Sequence, residues 1–448
     1  MTTLLNAAEF RRPWRVDTLD LLVPAILLLA VLPGGVYVSL LLAVALMFAG
    51  RVPDALAATV MLTLANPALF DVEIMGLGRY IPLFIGLGLL WSGPRVAGLW
   101  VGWAMLCCAV LIAFSVVAVS LLPSISLFKG TLFIMVLWVL FHTDRVDWPA
   151  FASRVDRFIP LYVLLSLPFL AIPSIGFKVN GTGFQGLTVQ PQVFGVWMAL
   201  AAAWLLYRSW ARQCALPRPL AIVVIAVLLG CILLSEARTA LLGFSAAAVA
   251  TTLVMIFRSP TNFGLRLLMG MAVAALSITA AQNNATLENF LFKRSQMSDI
   301  VGAVQASRGF LVERSLENFK AHPILGIGFG VPSNPATAEI TYAPVINMPI
   351  SVPVEKGVWV TAALEEQGAL GMLALISLYL SLLSYAIMRR SWMGIPMIFY
   401  FLTSNLAEMT MFSMGGTGLL QWLLLMASLK LTESPVARPS PVLHGGRP

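Results

Sequence analysis

Two arginines stand out in a chain with little charge. Arg238, in LLSEARTALLG, falls at the junction of two long apolar runs, and Arg308 follows in the one long polar interval of the chain. Ionisable groups at membrane depth are costly and therefore mark function by default. A guanidinium donates paired hydrogen bonds from a planar fork that matches phosphate oxygens, so two at one face suit a clamp on a diphosphate. Each also has a plainer reading: an ion pair with Glu236 or contact with headgroups for Arg238, a solvated helix face for Arg308. Arg314 has Glu313 and Glu317 as near partners, and reads either as a structural ion pair or as a further anion contact. Around these arginines stand other polar candidates for substrate contact. Gln190 and Gln192 lie in GFQGLTVQPQVFG, and Glu355 and Lys356 lie where the polar interval returns to apolar sequence. Asn405 and Glu408 sit near the end of a later apolar run. His322, followed by Pro323, is either a proton-transfer group or a turn residue.

The residues argue against metal chemistry. His322 is the only histidine in the polar interval, and Cys107, Cys108, Cys214 and Cys231 lie in or beside apolar runs without zinc-ligand spacing. No metal and no cofactor are expected. The run GIGFG at 326–330 has neither a following Lys-Ser/Thr nor a preceding strand, so it is a poor phosphate-cradling loop.

The elements that hold these residues must be membrane helices. Hydrophobic residues make up 59% of the 448, charged residues 11%, and mean hydropathy is +0.89, against roughly 25% charged in soluble domains. The apolar runs are continuous and lack period-2 alternation, which points to helices and not barrel strands. The expectation is an all-α polytopic membrane protein with about 12–14 transmembrane helices. Spans are read near 20–33, 36–50, 55–70, 80–92, 96–121, 130–143, 158–173, 193–210, 218–235, 238–257, 265–281, 359–388, 394–412 and 416–430. The predicted organisation is therefore transmembrane helices over 1–281, one large extracytoplasmic loop over 282–357, further transmembrane helices over 358–430, and a Pro-rich disordered cytoplasmic tail over 431–448. Arg11, Arg12 and Arg15 precede a first span that is retained and not cleaved.

With the loop outside, most arginines fall on the cytoplasmic side, and the short outer connections receive only Arg79, Lys129, Lys178 and Arg238. That asymmetry is the positive-inside bias. It accounts for the net charge of +8 without a nucleic-acid partner. Both termini are then cytoplasmic. Within the loop, SRGFLVERSLENF spaces Phe310, Leu311, Leu316 and Phe319 as a short amphipathic helix, ended by Pro323 and the glycines after it. The stretch 332–353 carries five prolines and is expected to be irregular.

Four short segments now align with one family. HPILGIGFG at 322–330 resembles the "hPllGvGpG" signature of the O-antigen polymerase and ligase family, the Wzy/WaaL-like proteins, with Arg308 at the family's arginine upstream. SEARTALLG at 235–243 resembles its "SRgallg" segment, with Arg238 on the arginine. ALEEQGALGML at 363–373 is similar to the segment after the loop, matching at Glu366, Gly368 and Gly371. GFQGLTVQPQVFG resembles the upstream segment. The resemblance implies a metal-independent membrane glycosyltransferase working at the periplasmic face of the bacterial inner (cytoplasmic) membrane. Its substrate would be an undecaprenyl-diphosphate-linked oligosaccharide, with Arg238 and Arg308 on the diphosphate. The family commonly works beside a chain-length regulator (co-polymerase). Ligases carry a histidine where this chain has Gly357. That departure favours a polysaccharide polymerase, building exopolysaccharide, capsule or O-antigen, over a ligase to lipid A core or protein. Glu355 beside the gap would then be the candidate base, or else a salt bridge at the loop edge, while Glu366 stabilises the junction of loop and span. A transporter or flippase, the reading from another class, would place its ionisable groups at the bilayer midplane.

Overall fold

The computed structural model describes residues 22–30, 32, 34–66, 80–90, 99–141, 146–177, 183–258, 300–342, 349–352, 356, 358–406, 409–414 and 416–431. The architecture is all-α and polytopic. The helices are α1 (Leu22–Leu29), α2 (Gly35–Phe48), α3 (Val52–Thr63), α4 (Tyr80–Leu90), α5 (Leu99–Phe114), α6 (Pro123–Phe141), α7 (Trp148–Ser166), α8 (Pro191–Trp210), α9 (Arg218–Leu234), α10 (Arg238–Arg258), α11 (Ile300–Ala321), α12 (Trp359–Met388), α13 (Gly394–Ser404) and α14 (Thr417–Lys430). Among the described residues, five helical stretches are long and apolar enough to cross a membrane: Trp100–Val119, Pro123–Phe141, Pro191–Trp210, Arg238–Arg258 and Trp359–Met388. Gly35–Phe48, Val52–Thr63, Arg218–Leu234 and Gly394–Ser404 are shorter apolar helices.

α8 is the axis of the bundle. Alanines at 199, 201, 202 and 203 are wholly buried, and small side chains let α9, α10 and α13 approach it closely. A Cβ on Gly195 would stand 2.2 Å from that of Ala237. Tyr400 of α13 donates to the Val196 carbonyl at 2.6 Å. An aromatic layer of Phe133, Phe412, Phe329 and Trp422 packs through edge-to-face and tilted ring contacts where α6 and α14 meet the long loop.

The two ends of the bundle differ. One end is pinned by buried ion pairs. Asp156 of α7 receives Arg208 of α8 through Nε at 2.7 Å and Nη2 at 2.8 Å, with Trp204 Nε1 at 2.9 Å and the Ala215 amide at 2.8 Å. Asp54 takes Arg51 at 2.7 Å and also Arg154. The opposite end carries the long loop and gathers the C-terminus of α3 and the N-termini of α4, α6, α8, α10, α12 and α14.

Several sequence expectations change here. Lys129 does not lie in a connection: α6 begins at Pro123, and the lysine is carried within the helix. The loop's amphipathic helix is longer than its apolar spacing suggests, running from Ile300 to Ala321. The proline-rich stretch contains a two-stranded antiparallel ribbon, Thr341–Tyr342 with Pro349–Ser351. The span read at 394–412 stops at Ser404, where Asn405 accepts the amides of Thr410 and Met411 at 2.8 and 2.9 Å and turns the chain back. The span read at 265–281, the tail after 431, Gly357 and Glu408 lie outside the described residues.

Removing one partner of a buried ion pair leaves the other charge stranded and costs about 3–5 kcal/mol. Asp156→Ala is expected to lower stability by that amount in detergent-titrated unfolding. The apolar pair Asp156→Leu with Arg208→Met should cost clearly less, and equal losses would contradict the stranded-charge account.

Candidate functional site

At the loop end, α12 is not continuous. Gly368 adopts φ 64°, ψ −165° and breaks the helix, freeing backbone groups on both sides that must find partners away from water. The motif loop supplies them. Ile327 N donates to Glu365 O at 2.8 Å and Gly328 N to Glu366 O at 3.0 Å. In return, Ala369 N donates to Pro323 O at 2.9 Å and Leu370 N to Ile324 O at 3.3 Å. The two backbones touch through glycine. A Cβ on Gly368 would lie 2.3 Å from Ile324 O, and one on Gly326, itself at φ +68°, 2.5 Å from Gln367 N. The far side of the motif is held by α5 and α6 and the residues joining them: Leu121 N donates to Ile327 O at 3.1 Å, Ser126 Oγ to Phe329 O at 2.7 Å, and Phe329 N to Ser115 Oγ at 3.1 Å.

Two carboxylates beside the break anchor everything around them. Glu365 accepts Ser315 Oγ at 2.7 Å and Asn318 Nδ2 at 2.6 Å, both from α11, and Ser333 Oγ at 3.1 Å. Glu366 accepts the Gly330 amide at 2.7 Å. Lys356 Nζ stands 3.1 Å from an oxygen of each, and all three side chains have no accessible surface. These lysine contacts are ionic and lack hydrogen-bond alignment, so Glu366 Oε1 and Lys356 Nζ hold each other by charge alone. Buried charges persist only when paired in this way.

A cavity of about 320 Å³ opens beside this cluster at the loop end. Its walls come from α3 (Thr63), α4 (Tyr80), α6 (Phe128, Lys129, Leu132), the start of α8 (Gln190, Val193), the loop (Gly330, Val352), Glu366 and the turn 409–417 before α14. Ring faces and hydrogen-bonding groups share its lining, which suits a polar small-molecule group.

The sequence candidates fall in different places. Gln190 is exposed in the cavity wall, at the N-terminal end of α8, whereas Gln192 is partly buried and does not line it. Arg238 opens α10 at the loop end and interacts electrostatically with Glu236. Arg308 lies on α11; Glu355 falls outside the described residues. Arg314 points outward, ion-paired with Glu317 at 3.3 Å with both groups well exposed. His322 is exposed just past α11, its carbonyl accepting the Gly326 amide at 3.0 Å, a turn role. Lys356 is not presented to the cavity; it is closed in between Glu365 and Glu366. Sequence reasoning passes over Glu365 and places Lys129 in a connection. The doublet Glu365-Glu366 inside an apolar run is the available signal for the first, since two adjacent carboxylates at membrane depth require a cation.

Burial pushes the Cys214 thiol up to about 12, so it stays protonated. Among the described residues no three His, Cys, Asp or Glu side chains gather as a metal site would require.

The Gly368 break and the motif depend on each other. Gly368→Ala is expected to undock the loop, abolishing function while far-UV circular dichroism keeps its helical signal and limited proteolysis within 322–356 accelerates. Unchanged proteolysis would contradict the interlock.

No curated protein matches the chain at a significant level. Residues 221–355 match the family model described as O-Antigen ligase (Wzy_C). The matched segment includes Arg238, Arg308, Arg314, His322 and Glu355 and ends one residue before Lys356. This similarity over residues 221–355 supports the O-antigen polymerase and ligase family and, with it, a glycan-processing function.

Proposed function

We propose that the protein is a polysaccharide polymerase of the inner membrane, joining undecaprenyl-diphosphate-linked oligosaccharide repeat units at the periplasmic face. The observation that carries this reading is the cavity at the loop end, beside the docked HPILGIGFG motif, at the same end of the bundle as the start of α10 with Arg238. A family of glycosyltransferase-like enzymes acting on lipid-linked glycans supplies the chemistry. An acceptor hydroxyl attacks the anomeric carbon, the bond from that carbon to the diphosphate oxygen breaks, and the diphosphate departs with the electron pair. The hydroxyl proton leaves to a base or to water, and Glu355 is the candidate carboxylate.

Arg238 and Arg308 take the leaving diphosphate in this reading. Negative charge grows on it as the bond breaks, so fixed guanidiniums stabilise the transition state more than the ground state. A desolvated setting strengthens that interaction relative to water. The absence of histidine at Gly357 supports polymerase over ligase, because a ligase would use that position to activate its acceptor.

The ligase reading keeps one specific support, the description of the matched family model as an O-antigen ligase. The two separate cleanly. Loss of a polymerase leaves single repeat units in the cell's glycan, whereas loss of a ligase leaves long polymer on the carrier lipid. Arg238→Ala and Arg308→Ala are each expected to abolish long polymer at normal protein level, while single units are still made and exported. Normal chain lengths in both variants would sink the diphosphate clamp.

A further inference from the structure

The cavity's wall holds one cation among the described residues, Lys129, and it is not one of the sequence candidates. The lysine reaches the wall from within α6 and is partly exposed. Its Nζ donates to the Gly330 carbonyl at 3.1 Å. An ammonium has three protons to give, and that carbonyl is its hydrogen-bond partner among the described residues, so two remain for a guest. Glu366 acts on it electrostatically without forming an ion pair within 4 Å. Glu366 borders the cavity, but the side chains of Lys356, Glu365 and Glu366 have no accessible surface, so Lys129 is the cluster's one charge open to a guest.

The motif sets the position of this lysine. Gly330 sits at φ +69°, and a Cβ there would stand 2.6 Å from Lys129 Cδ. The last glycine of HPILGIGFG therefore leaves room for the lysine stem, and the same residue's amide is fixed by Glu366 at 2.7 Å. Carbonyl, stem and carboxylate together aim the ammonium at the cavity. Tyr80, Phe128 and Phe412 beside Gln190, Thr63 and Thr410 give the rest of the wall the mix of ring faces and hydrogen-bonding groups that a sugar needs.

We propose that Lys129 binds an oxyanion of the substrate in this cavity, either a phosphate of the carrier or the carboxylate of an acidic sugar. The inference rests on the glycan-transfer reading for the identity of the guest.

The test uses the purified full chain in detergent micelles and an amine-acylating reagent, with modification of Lys129 read by mass spectrometry. The free protein is expected to label at Lys129, and undecaprenyl diphosphate or an acidic oligosaccharide to protect it. Protection by the carrier alone identifies the phosphate, and protection by the free saccharide alone identifies the sugar acid. A lysine that never labels, or that labels equally with either ligand present, overturns the proposal. In the transfer assay, Lys129→Met should raise KM for the lipid-linked unit roughly 10- to 100-fold, the range for losing a hydrogen bond to a charged group, and Lys129→Arg should recover most of it. An unchanged KM in Lys129→Met also overturns it. The failures separate: active wild type without protection refutes the role of Lys129, whereas protection in a chain that transfers no glycan refutes the glycan-transfer reading.

Discussion

The loop end of the protein depends on a helix that is broken at one glycine. A continuous α12 would satisfy its own backbone and leave nothing for the loop to bind. Gly368 opens the ladder, and the donors and acceptors it exposes are the ones that Pro323, Ile324, Ile327 and Gly328 complete. Unsatisfied backbone groups cost several kcal/mol each away from water. The break and the loop are thus one structural unit, and neither is stable without the other. A polar loop this long, on a chain this apolar, would otherwise have little to dock against.

Charge reinforces that unit and then limits it. Lys356 comes from the loop and Glu365 and Glu366 from α12, while Ser315 and Asn318 reach Glu365 from α11. One buried cluster therefore ties the end of the loop and the start of α12 to α11, whose Ser315 and Asn318 lie 50 and 47 positions before Glu365. With Lys129 included, the cluster holds two cations and two carboxylates. Such neutrality is what allows four ionisable groups to sit at membrane depth. It also leaves the cluster without surplus positive charge, so an arriving diphosphate would draw its main neutralisation from elsewhere. The arginines of the matched segment are suited to that, while Lys129, the one charge of the cluster open to the cavity, adds a directed hydrogen bond.

Much of this is legible in the amino-acid sequence, unevenly. Composition and continuous apolar runs specify membrane helices, but not every start: α6 begins at Pro123, ahead of the span read from 130. Ends are less readable: the span read to residue 412 stops at Ser404 because Asn405 replaces helical hydrogen bonds with side-chain ones, which periodicity cannot register. The motif HPILGIGFG is conspicuous, but its role is not. Its glycines are needed for close approach to α12 and to Lys129, partners separated from it by tens to hundreds of positions. Lys356 reads as a loop-edge group available to substrate, because its neutralising carboxylates lie beyond the start of the next helix.

The division between the matched segment and the rest of the chain has a physical meaning. The segment 221–355 contains both arginines and the motif loop, the parts suited to handling a diphosphate and docking the loop. The cavity wall is drawn mostly from outside it: α3, α4, α6, the start of α8 and the turn before α14. A leaving group common to many glycan transfers calls for a fixed arrangement, whereas the sugars differ from one system to another. If the proposed transfer occurs in this cavity, discrimination among sugars would come from its polar groups, since an unmade hydrogen bond in a buried site costs more than a missing methylene. Gln190, Thr63, Thr410 and Lys129 are therefore the positions at which this chain would set its choice of repeat unit.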